Sequence, residues 1–164
     1  MGRNVARYDH ASSQVVVDTA AGTVAALDGT DYLQGIEVIA FTDGQVVMDA
    51  DDPAALVMRL YHVALDRLPD TTGLAHWTLA LEQGAAATSV AASFLNSREF
   101  TDLYGVLNDA GFARLLASHL GAPDLAWDVL DALAGGVSRE QALVDLADGW
   151  AARRATAADL AAGL

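Results

Sequence analysis

The residues of this 164-residue chain that could do chemistry are acidic clusters, one arginine-bearing corner and a few separate histidines. Asp28 with Asp31, and Asp49 with Asp51 and Asp52, offer oxygen ligands to a hard cation, so calcium is the cofactor the sequence allows. Neither cluster has the alternate acidic positions and distal glutamate of a twelve-residue calcium loop, and both also read as turn formers. Asp52 before Pro53 reads as a helix start. Asp66, Arg67 and Asp70 gather at a Pro-Asp corner, with Trp77 on the helix after it. Arg67 there is expected to bond carbonyls or an acidic side chain and so hold two helices at their angle. The same four residues are the surface that a partner would meet. His10, His62, His76 and His119 are scattered, and His-Glu-x-x-His, Gly-x-Ser-x-Gly and phosphate-loop patterns are absent from the sequence. No enzymatic activity is therefore expected, and a carboxylate-dependent hydrolase is the enzymatic alternative.

The elements that must position these residues follow from periodicity. Gln14 to Asp18 and Thr23 to Leu27 are β-rich runs split by four residues ending in Gly22, which reads as a hairpin. Ile36 to Thr42 and Gln45 to Asp49 flank Asp43-Gly44, a two-residue turn that would pair Phe41 with Val46 and Ile39 with Met48. Glu37 falls on that apolar face and calls for an ion pair with Arg7 or Arg3, or for a place at the open end of the hairpin.

From Pro53 to Leu68 a wide apolar stripe at helical spacing leaves Arg59, His62 and Asp66 to one side. Pro69 stops that helix, and Asp70 caps the next, which carries Leu74, Trp77 and Leu81 and ends at Gly84. Thr88 or Ser89 opens a third helix and Ser97 a fourth. Ser138 to Gln141 is a capping box for a helix running towards Arg154 that buries Leu143, Leu146 and Trp150. Trp77, Trp127 and Trp150 all read as core. The fold class is α+β: N-terminal β-hairpins packed on a mainly helical domain built from two related repeats. The β segment spans 1–50 and the helical domain 51–164, with repeat one at 53–105 and a degenerate repeat two at 108–154.

Composition bounds the partners. The nine basic residues are all arginine, against 22 acidic ones, for a formal net charge of −13. Without a basic face, nucleic acid is not an expected partner. No run of about 18 apolar residues exists to insert into a membrane, and the first ten residues lack a signal-peptide core.

Leu60-Tyr61, Arg67-Leu68-Pro69-Asp70, Gly73-Leu74-Ala75-His76-Trp77 and Ser97-Arg98-Glu99-Phe100 resemble the bacterial family called domain of unknown function 4214. Asp66 stands where that family usually has glycine. A similar Arg-x-Pro-Asp corner occurs in phycobilisome linker domains, which are structural. In repeat two, Phe112 to Leu116 matches Val57 to Tyr61, and Pro123-Asp124 keeps the corner without its arginine. The run from Asp28 to Gly44 resembles the segment that flanks calcium-binding glycine-rich repeats in secreted repeats-in-toxin proteins, although those nonapeptides are missing here. The resemblances imply an extracellular or cell-surface bacterial protein, exported by a type I route without a cleaved N-terminal signal. They also imply a non-catalytic module whose partner is another protein or its own copies. Surface polysaccharide is the further candidate, through a calcium-dependent glycan-binding module.

Overall fold

The computed structural model describes residues 5–11, 14–18, 23–26, 29–34, 36, 38–42, 45–47 and 51–162. The protein is α+β, with short N-terminal strands followed by helices, and it divides into two compact units. One unit holds residues 1–55 and 157–164, the other 56–156.

Among the described residues the first unit contains two three-stranded sheets. In one, β1 (Val5–Arg7) pairs in parallel with β5 (Val38–Ala40), which pairs antiparallel with β6 (Gln45–Val47). In the other, β2 (Val16–Asp18), β3 (Thr23–Ala26) and β4 (Gly29–Tyr32) form an antiparallel meander. The first expected hairpin is present, with Asp18 opposite Thr23. The second has a different register among the described residues: Ile39 faces Val46 and Ala40 faces Gln45, two residues from the expected pairing. The cause lies on the other edge of β5. Amides alternate sides along a strand, and the Thr42 N–H donates to the His10 carbonyl at 3.0 Å, beyond Tyr8 N–H on Ala40 O at 2.8 Å. Committed to that side, Thr42 cannot close a two-residue turn with Gln45. The shift is by two residues, so Ile39 keeps its face and is fully buried with Val24, while Tyr8, Val15, Leu33, Ile36 and Phe41 pack around them. Met48, Glu37, Arg3 and the turn residues Asp43, Gly44 and Gly22 lie outside the described residues.

The second unit is helical; its first helix begins, and its last ends, among residues of the first. Pro53 opens α1 (Pro53–Leu65), and the Asp52 carboxylate accepts the Ala54 N–H at 2.7 Å, meeting an amide that the helix itself leaves without a partner. The chain continues through α2 (Thr71–Glu82), α3 (Ala87–Leu95), α4 (Arg98–Tyr104), α5 (Asp109–His119), α6 (Leu125–Ala134), α7 (Arg139–Asp148) and α8 (Trp150–Ala162). Side-chain caps at Asp70, Ser97, Asn108 and Ser138 open α2, α4, α5 and α7. The third helix begins one residue before Thr88, at Ala87, after an Ala86 that has no capping side chain. The helix opened by Ser138 stops at Asp148, because Gly149 is extended (φ −73°, ψ 164°), and the chain restarts as α8.

Two expectations are corrected here. Trp127 and Trp150 are surface residues, 75% and 66% exposed, because the breaks before α6 and α8 turn them outward from the packed faces. Arg59, expected off the apolar stripe, is the largest fully buried side chain among the described residues, where it meets the end of α7. Its Nε donates to the Ala147 carbonyl at 2.6 Å and its Nη2 to the Asp148 carboxylate at 3.2 Å. The guanidinium therefore fastens the C-terminal turn of α7, where orphan carbonyls and the negative end of the helix dipole favour a cation. Its long stem fills core volume at the same time.

Replacing Arg59 with leucine keeps apolar volume but leaves the Ala147 carbonyl without this donor. Chemical denaturation is expected to show a loss of about 2–4 kcal/mol. A change under about 0.5 kcal/mol would contradict the fastening role.

Candidate functional site

The site sits where α1 ends. Asp66 takes a left-handed φ of 50°, the only non-glycine to do so among the described residues, and its N–H closes on His62 O at 3.0 Å. Aspartate tolerates this conformation better than most residues, and glycine adopts it without strain, which accounts physically for the family's glycine there. The turn aims Arg67 back across the corner. Its Nη1 donates to Leu68 O at 2.9 Å, and Nε and Nη2 donate to the two Glu99 oxygens at 2.5 and 2.8 Å. The guanidinium also lies 4.8 Å from the Tyr61 ring centroid, within cation–π range. One side chain thus joins the end of α1 to the first turn of α4.

Asp70 is exposed and accepts the Gly73 N–H at 2.8 Å, capping α2. Pro69 beside it is buried. Trp77 is half-buried: its ring lies 5.8 Å from Phe94, which meets Tyr61 edge-on at 4.6 Å, while His76 stacks edge-on against its other side at 4.7 Å. Tyr61, Trp77, Phe94 and Glu99 line a shallow cavity of ≈ 80 Å³. Gly73 leaves room at its position, since a Cβ there would stand 2.3 Å from the Tyr61 hydroxyl and force it to shift. The glycine of Gly-Leu-x-x-Trp and the tyrosine of Leu-Tyr are thus one contact.

Charge follows the geometry. The hydrogen bonds from Arg67 hold the Glu99 carboxyl below the ordinary glutamate range, against some desolvation, and Glu99 in turn raises Arg67. The Gly73 amide holds Asp70 low. Burial pushes the Tyr61 phenol up and the Asp70 charge adds to this, while the Arg67 charge opposes it. Burial also raises Tyr104, which stacks near His119 at 5.5 Å. The His119 Nδ1 sits 2.8 Å from Val63 O, and because a carbonyl can only accept, this nitrogen carries the proton and caps the end of α1.

The described members of the acidic clusters have separate surroundings. Asp31 is exposed on β4 and accepts from the Tyr8 hydroxyl at 2.9 Å, and Asp52 caps α1. Asp51 is exposed, while Asp28 and Asp49 lie outside the described residues. Among the described residues no group of three or more histidine, aspartate or glutamate side chains is placed to hold a metal ion, and no helix is long and apolar enough to cross a membrane. Glu99, 32 residues from Arg67, is in the sequence only a first-turn acid, since nothing local names its partner.

This arrangement defines a helical corner module closed by a bidentate ion pair. Residues 50–104 match the model of the family described as Domain of unknown function (DUF4214). No curated protein and no solved structure matches the chain.

Gly73→Ala is expected to cost about 1–3 kcal/mol in denaturant melts, with most of the loss restored by Tyr61→Phe in the same chain. Independent, additive effects would contradict the contact. Because the Glu99 pKa is lowered on folding, its contribution is present above the unfolded value of about 4.3 and is lost as pH falls through the folded value. Both partners are more than a third exposed, so the effect is about 1 kcal/mol. Below pH ~4.3 the natural chain should therefore lose its advantage over Glu99→Gln, whereas parallel pH profiles would show that the pair adds nothing.

Proposed function

We propose that the chain is a non-catalytic interaction module of a secreted or cell-surface bacterial protein of the repeats-in-toxin kind, whose partner is another protein or further copies of itself. The observation that carries this reading is that the family's polar residues close on one another. Arg67 is held by Glu99 and Leu68, Asp70 by the Gly73 amide, and Tyr61 lies beneath Arg67. A hydrolase acting through two carboxylates needs one of them held protonated by a raised pKa. Glu99 and Asp70 are both shifted down, which makes them acceptors for fixed donors and poor general acids.

The secreted setting is supported by the acidic balance and by the resemblance of Asp28 to Gly44 to segments that flank calcium-binding repeats. Calcium bound through Asp28 and Asp31, or Asp49, Asp51 and Asp52, belongs to the same proposal. The calcium-dependent glycan-binding reading is favoured by one observation, the exposed rings of Tyr32 (81%) and Trp150 (66%), which offer flat faces for a sugar. Glycan arrays blank with and without calcium would remove it.

The module reading predicts no turnover of glycosides, esters or phosphate esters. A turnover that Arg67→Ala abolishes at a temperature where both chains are folded would overturn it. Its calcium component predicts a rise in melting temperature in millimolar calcium relative to chelator, since a ligand at about 100 times its Kd adds about 2.7 kcal/mol. Superimposable melts would remove the metal from the account.

A further inference from the structure

The second repeat carries an arginine with no duty. Its Phe112 to Leu116 aligns with Val57 to Tyr61, so Arg114 occupies the position of Arg59. In the first repeat that position is covered: Arg59 donates to the Ala147 carbonyl and the Asp148 carboxylate at the end of α7, a helix whose Leu143 and Ala147 are completely buried. In the second repeat it is open. Arg114 is exposed and, among the described residues, makes no ion pair, in a chain of net charge −13. It stands on the wall of a cavity of ≈ 230 Å³ between α5 and α6, lined also by Ala110, Pro123, Ala126, Trp127 and Leu130. Trp127, 75% exposed, leaves its ring for a visitor to cover.

We propose that this groove is a docking site for the C-terminal turn of a helix from a partner protein, one that carries an apolar residue four positions before its last buried residue and a carboxylate directly after it. The chain's own Leu143, Ala147 and Asp148 are the template for that pattern. The chemistry is the one already used at Arg59. A guanidinium meets free carbonyls and the negative end of a helix dipole, with an acidic side chain alongside, while small and aromatic residues receive the apolar side chain. Arg114 is the charge complement of such an end, and Trp127 with Arg114 is the pairing of residue types that most often dominates an interface. The proposal rests on the interaction-module reading and names that module's partner chemistry. It can fail by itself, since the turnover test bears on the module and leaves the groove untouched.

The test titrates the full chain with a synthetic peptide of residues 138–153, which contains the α7 pattern and its Ser138 cap. Saturable binding with a change in Trp127 fluorescence or in its indole NMR signal is expected. Arg114→Glu should weaken binding by about tenfold or more, and Arg114→Gln by less. The charge-matched control Arg98→Glu, at an arginine 93% exposed on α4, should bind as the natural chain does. A peptide with Asp148→Arg should not bind. Melting curves of the variants establish that they are folded. No binding to the natural chain would overturn the proposal, as would equal binding to Arg114→Glu. Self-association that Arg114→Glu dissolves, without peptide binding, would also overturn it and make a second copy the occupant.

Discussion

The ion pair between Arg67 and Glu99 is the constraint on which the helical part of the molecule turns. A helix that has ended at a left-handed residue and a proline has no backbone means of fixing the direction of the next helix. The guanidinium ties the corner instead to the first turn of α4, where its planar fork meets the Glu99 carboxylate while it lies over the Tyr61 ring. Its position also decides what surrounds it. Tyr61 lies beneath the guanidinium, its hydroxyl passes close to α2, and glycine at position 73 leaves room for it. Exposure of more than a third on both partners keeps the electrostatic energy small. The pair contributes geometry more than stability.

The second arginine, Arg59, works differently. It is buried, its partner is a helix end, and removing it would leave a carbonyl without that donor in the interior. Two arginines of one repeat thus do two jobs, one fixing a corner within that repeat and the other fastening α7 of the second repeat to α1 of the first. The corner of the second repeat shows what the first arginine does by lacking it. Asp124 lies in helical conformation with no capping bond, and α6 after it presents Trp127 to solvent.

Features set by neighbouring residues are legible in the sequence. Asp70, Ser97 and Ser138 cap their helices because an oxygen three residues ahead of an orphan amide is a local matter, and Gly84 ends α2 with φ +94° for the same kind of reason. Features set by distant residues are not. The parallel pairing of β1 with β5 joins residues 33 apart and shifts the hairpin register, and β4 is hidden because its Gly-Thr-Asp-Tyr sequence has neither alternation nor bulk. Arg59 lies off the apolar stripe, and its burial is not readable there because the helix end it meets comes 88 residues later. At the site the type of group that Arg67 would meet is readable, whereas Glu99 itself needs the fold.

The most direct measurement of the central account is a double-mutant cycle on Arg67→Met and Glu99→Gln, with unfolding free energies determined at neutral pH. Side chains that clamp the corner must be coupled, so each single change should cost about 1 kcal/mol and the double change little more than either alone. Additive costs would mean that the two groups act independently and that the corner is held by something else.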